Sequence, residues 1–153
     1  MNSEQLLSKE DETAVPAAAT DHLEQEIREG RFSQLDLMRH VQSLEGMGEI
    51  RAAANLCALW INQSPLGDKH FSLFNFAGLL QTVGRMDEAQ QAYESCLALK
   101  PDFVQAAINL GLLREKLGRT NEALSAWLLV VARRFLDQPP SAEFLTMALN
   151  HIG

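Results

Sequence analysis

Along residues 70–101 apolar side chains recur every three or four positions, at Phe76, Leu80, Tyr93 and Leu97, and a glycine interrupts the run near its middle. That is the signature of two amphipathic helices joined by a tight turn. The same pattern returns at 104–135 without a gap. Asn75 aligns with Asn109, Phe76 with Leu110, Ala77 with Gly111 and Gly84 with Gly118. Glu88 then meets Glu122, Ala89 meets Ala123 and Tyr93 meets Trp127, every pair 34 residues apart. A weaker copy lies upstream: Gly48, Ile50, Ala53, Cys57, Trp60 and Pro65 precede Gly84, Met86, Ala89, Tyr93, Cys96 and Pro101 by 36 residues. The two extra residues fall best in the loop Ser64–Lys69, where insertion costs least. The pattern predicts helix pairs at about 34–62, 69–99 and 103–135, and no convincing strand.

Each recurring position has a physical reason. Ala77, Gly111, Ala89 and Ala123 are small where two antiparallel helices approach, while Tyr93, Trp127 and Trp60 fill the space between them. Gly84 and Gly118 end the first helix of their pair. Pro101 cannot continue a helix and marks the turn into the next unit, with Asp102 expected as the following N-cap. In the first copy Ser33 precedes a helix over 34–44, and Val41 stands in place of Ala77 and Gly111, which predicts looser, cap-like packing. Asp21-His22-Leu23-Glu24 reads as a capping box for a short helix over 22–29 stopped by Gly30. Residues 1–20, with Pro16, read as a disordered arm. Asp137–Pro140 reads as a loop, after which Ser141 and Glu143 open a helix whose Leu149, Ile152 and Gly153 repeat the spacing of Leu73, Phe76 and Ala77. The expected organisation is an arm at 1–20 and a repeat domain at 21–153, with repeats at about 34–65, 70–103 and 104–137 and a partial fourth at 141–153. A stacked array needs a polar terminal cap. This last helix is not one, so a longer parent protein is expected.

A helix–turn–helix unit of 34 residues resembles the tetratricopeptide repeat (TPR). The resemblance implies an all-α fold, a TPR-type α-α superhelix. Asn75-Phe76-Ala77 and Asn109-Leu110-Gly111 resemble the Asn-Leu-Ala/Gly of repeats in the O-linked N-acetylglucosamine transferase and SPINDLY family. From Trp60 to Gly153 the chain is most similar to the N-terminal repeat region of bacterial SPINDLY-like proteins. There the repeats precede a glycosyltransferase domain that uses a nucleotide sugar. The family's catalytic residues lie in that later domain, and none falls on this chain. The resemblance implies that Asn75 and Asn109 belong to an asparagine ladder holding the backbone of a bound peptide. Arg39 occupies the matching place in the first repeat.

Helical spacing reaches a similar face independently. With Phe76, Ala77 and Leu80 turned to the core, Phe71, Asn75, Gly78 and Thr82 lie on the inner face of the stack. The equivalent rows are Gln105, Asn109, Leu112 and Lys116, and Leu35, Arg39 and Gln42. A carboxamide both donates and accepts, which suits it to sequence-tolerant capture of a peptide backbone. The expected peptide-binding set is Asn75 and Asn109 with Phe71, Ile108, Leu112, Arg39 and Lys116; local hydrogen bonding of the asparagines is the plainer alternative.

Charge narrows the partner. The formal net charge is −7. Eight acids (Glu4, Glu10, Asp11, Glu12, Asp21, Glu24, Glu26, Glu29) against Lys9 and Arg28 place nearly all of it in residues 1–30. An acidic arm before a near-neutral body disfavours nucleic acid and anionic membranes, which require a basic footprint. A protein or an extended peptide is the expected partner, and nothing indicates a homo-oligomer. Arg114, Lys116, Arg119, Arg133 and Arg134 read as a solvated basic face, with receipt of the acidic arm as the alternative. No apolar run approaches the roughly 18 residues that span a bilayer, and the start lacks the pattern of a secretory signal, so a cytoplasmic protein is expected. Cys57 and Cys96 sit among apolar helix residues and are expected to be buried thiols. His22, His40, His70 and His151 are scattered without metal-ligand spacing. No phosphate loop or activated nucleophile is evident, so no metal, cofactor or catalytic residue is expected in this segment.

Overall fold

The computed structural model describes residues 17–132 and 141–152, with side chains from Asp21 onward. Among these residues the regular structure is helical: α1 (Ala17–Arg28), α2 (Gln34–Gly46), α3 (Ile50–Gln63), α4 (His70–Thr82), α5 (Met86–Leu99), α6 (Val104–Lys116), α7 (Thr120–Ala132) and α8 (Ala142–Ile152). Short turns fold α2 onto α3, α4 onto α5 and α6 onto α7, and each pair packs against the next. α8 leans on α7, and α1 packs on α3. The acidic stretch 1–16, the predicted loop at 137–140, Arg133, Arg134 and Gly153 lie outside the described residues.

The turns within pairs are built alike. After α4, Gly84 takes φ +83°, a left-handed conformation that costs a glycine little. Its N–H donates to Gln81 O at 3.1 Å, and Arg85 N–H donates to Leu80 O at 2.8 Å, the paired bonds of a Schellman stop. Gly118 repeats the arrangement at φ +72° with Arg119 N–H on Arg114 O at 2.8 Å. These turns fix the 34-residue register.

Two expectations need correction. α1 begins by Ala17, not at 22, and runs through Asp21 without a cap there; Ala17-Ala18-Ala19 are strong helix formers, and Glu24 pairs with Arg28 at 2.9 Å. Asp102 is not the N-cap of α6. Pro101 and Asp102 are the middle of a turn closed by Phe103 N–H on Lys100 O at 3.1 Å, which moves the cap to Phe103, and Asp102 pairs with Lys100. The looser packing expected of the first repeat is present: Val41, Ala53, Cys57 and Trp60 are buried, yet α2 and α3 make less contact with each other than α4 with α5 or α6 with α7. Ser33 does cap α2, in a reciprocal box with Asp36, and holds that carboxyl below its ordinary range by hydrogen bonding.

The core runs as a chain of clusters between the helix pairs. Ala77, Ala89, Ala123 and Gly111 are buried at the helix contacts, and Tyr93 and Trp127 are buried between them. A Cβ added to Gly111 would lie 2.7 Å from Cε2 of Trp127, so the indole occupies the space a side chain would need. Cys57 and Cys96 are fully buried, and burial pushes their thiols up to about 12 and about 11.

Candidate peptide-binding face

The residues of the predicted inner row lie on α2, α4 and α6. Between α2 and α4 lies a shallow hollow of about 300 Å³ lined by Gln34, Leu35, Met38, Phe71 and Asn75. Leu35 is 59% exposed and Phe71 50% exposed, large apolar side chains left in water beside one another. Phe71 is supported from behind: its ring centroid is 4.2 Å from that of His70 and 5.3 Å from that of Phe103. His70 is buried and pairs with Asp68.

Both predicted asparagines are half-buried, and each already makes one local bond. Asn75 Nδ2 donates to the sulfur of Met38 at 3.0 Å, across from α4 to α2. Asn109 Nδ2 donates to the Tyr93 hydroxyl at 3.2 Å, and that hydroxyl donates to Gln81 Oε1 at 3.1 Å. Burial raises the Tyr93 phenol above its ordinary range, against the opposing effect of the Asn109 bond. A carboxamide has two N–H groups and two acceptor sites on oxygen, so each asparagine keeps capacity for a ligand.

The remaining predicted residues divide. Leu112 and Lys116 are exposed along α6, and Arg39 is exposed on α2 with Asp36 at 3.8 Å. Ile108 is not on the surface: it is 5% exposed and packs in the cluster of Trp127, Val130 and Ala148, because α8 covers it. The basic residues of the third repeat are not a simple solvated face. Arg114 reaches Glu94 at 2.7 Å and Glu122 O at 3.0 Å, with its side chain 13% exposed. Arg119 reaches Asp87 at 2.7 Å and Gln90 at 2.6 Å. These cations stitch α6 and α7 to α5. Sequence reading missed Gln34 and Met38 in the hollow; both are one turn or less from Leu35 on the same helix, and that spacing was the available signal.

Pairs of helices stacked at this period decide the architecture. The fold is a tetratricopeptide superhelix. The tetratricopeptide repeat family model matches residues 72–103, the second pair. Among solved structures, a crystal structure of MamA superposes with a TM-score of 0.59 at 13% identity, over 76% of this chain and 67% of that one. A MamA structure from residue 41 to the end, from Desulfovibrio magneticus RS-1, gives 0.59 at 19% identity over 75% of this chain and 63% of that one. No curated protein matches the chain in sequence. Among the described residues no helix is long and apolar enough to cross a membrane, and no three His, Cys, Asp or Glu side chains are placed to hold a metal ion.

Proposed function

We propose that this chain is a protein-interaction module that holds an extended peptide segment along α2, α4 and α6. The observation that carries the reading is the hollow between α2 and α4, where exposed Leu35 and Phe71 flank Asn75. An apolar side chain of the ligand fills the hollow while its backbone meets Asn75 and, one repeat on, Asn109. Leu112 and Lys116 continue the track. The resemblance of the asparagine motif to O-linked N-acetylglucosamine transferase repeats supports a recruiting role ahead of a glycosyltransferase domain. A free-standing adaptor is the alternative, and the reading frame after Gly153 separates the two.

The test is a peptide selected from a random ten-residue library against the wild-type protein, measured by fluorescence anisotropy. Asn75→Ala/Asn109→Ala should weaken its binding by about 1–3 kcal/mol, the range for hydrogen bonds lost at a site. The melting temperature should fall little, since neither carboxamide supports the apolar core. Undiminished binding by this variant and by Leu35→Asp would exclude the inner face as the working surface.

A further inference from the structure

The inner row is held from behind by a relay that the chain builds twice. In one copy Tyr93 links Gln81, on the first helix of its own repeat, to Asn109 on the first helix of the next. In the other, Trp127 Nε1 donates to Glu115 Oε1 at 2.8 Å, and that same oxygen lies 2.8 Å from His151 Nδ1. The His151 ring lies flat on the Trp127 indole, with centroids 4.6 Å apart and planes 19° apart. Gln81 and Glu115 are 34 residues apart, as are Tyr93 and Trp127. Asn109 and His151 are 42 apart, because the chain between the third and fourth units is longer. Burial fixes the register across that longer link. Ser72, Ala106 and Ala148, each three residues before Asn75, Asn109 and His151, are all 0% exposed.

We infer that His151 is a third ligand-contacting residue in the row of Asn75 and Asn109, a role that rests on the peptide-binding reading above. A carboxylate oxygen only accepts, so in the neutral imidazole the proton is on Nδ1, facing Glu115, and Nε2 keeps its lone pair. Asn109 has the same bias, with one N–H spent on Tyr93 and its oxygen uncommitted among the described residues. Each presents an acceptor to a backbone N–H of the ligand. The ligand class is therefore an extended peptide with an ordinary residue, not proline, opposite His151, since proline has no N–H to give.

The experiment uses the same selected ten-residue peptide with His151→Ala, His151→Asn and Asn75→Ala/Asn109→Ala. Docking of α8 is followed independently through amide-exchange protection at Ala148, which is buried on α8. His151→Ala should weaken binding five- to tenfold, whereas His151→Asn, which restores an accepting oxygen, should stay within twofold of wild type. A proline scan of the peptide should find a position whose proline costs wild type at least fivefold and His151→Ala nothing. Wild-type affinity in His151→Ala, with the double asparagine variant impaired, would overturn the inference and end the row at Asn109. If His151→Ala undocks α8, the His151→Asn result decides: affinity as poor as that of alanine with α8 in place overturns it. Wild-type affinity in all three variants would instead reject the peptide-binding face as a whole.

Discussion

The slot between the two helices of a repeat is filled in three ways. In the first repeat the facing residues are Val41 and Cys57, in the second Ala77 and Tyr93, in the third Gly111 and Trp127. All six are buried. As the first helix gives up side-chain volume, the second gains it. Interiors pack to a nearly constant density, so the sum at a contact is constrained while its division is not. The third repeat is the extreme case, with the indole in the space of an absent Cβ. The first repeat divides its slot differently, and its two helices also make less contact than those of the later pairs. The division has a cost elsewhere: Cys57 has no polar tip like the Tyr93 hydroxyl, so the first junction lacks the relay, and Asn75 turns to Met38 instead.

The largest expected effect is Trp127→Ala, which should destabilise by about 3–5 kcal/mol because nearly all the slot's volume is lost with it. Cys57→Ala at the equivalent position should cost about 1 kcal/mol, near the value of one small buried group. Equal costs by denaturant unfolding would break the comparison. Next, Gly111→Leu should cost about 1–3 kcal/mol by overpacking against the indole. Gly111→Ala/Trp127→Tyr, which copies the second repeat, should recover part of what Gly111→Ala loses; a strictly additive double-mutant cycle would argue against a shared slot. Ser33→Ala should cost about 1 kcal/mol through the lost cap of α2, read as faster amide exchange in that helix. A smaller and pH-dependent difference comes from the thiols. Their folded values, about 12 for Cys57 and about 11 for Cys96, lie above the ordinary value of 9.0, so their contribution is intact below pH 9 and lost as pH rises toward 12. The third repeat holds no thiol, so moderate alkali should loosen amide protection in the first two repeats before it. Uniform loosening would contradict this.

The repeat register was legible because it rests on size and backbone constraints that each residue carries with it. A glycine stop or an alanine at a helix contact means the same thing in any surroundings. The cap at Asp102 was misread because two local devices competed for the same residues, and the Pro101 turn prevailed. Phe71 and Asn75 could be placed by helical spacing, since the opposite face of α4 was plainly the core. Ile108 could not, because what buries it is a neighbouring helix, α8, and not its own. His151 looked like one of four scattered histidines until its partners, 24 and 36 residues back in the chain, placed it in the row. Arg114 is similar: its charge suggested solvent, and its environment is set by Glu94 and Glu122 on two other helices.

The ion pairs between α5, α6 and α7 give the stack a mechanical asymmetry. Among the described residues, ion pairs bridge the second and third repeats, whereas the first and second meet through apolar contacts, the Gln34–Ser72 and Asn75–Met38 bonds and the Lys69 ammonium on Ile61 O. A superhelix is an elastic body whose pitch depends on the stiffness of each joint. Dissolved salt weakens exposed charge pairs and leaves shielded ones nearly intact. The Asp87 side chain is 73% exposed and Arg119 37%, so their half of the joint yields to salt, while Arg114, at 13%, keeps its grip. The joint between the second and third repeats thus softens with ionic strength without parting, and more than the joint before it, so the pitch of the stack is set partly by the medium.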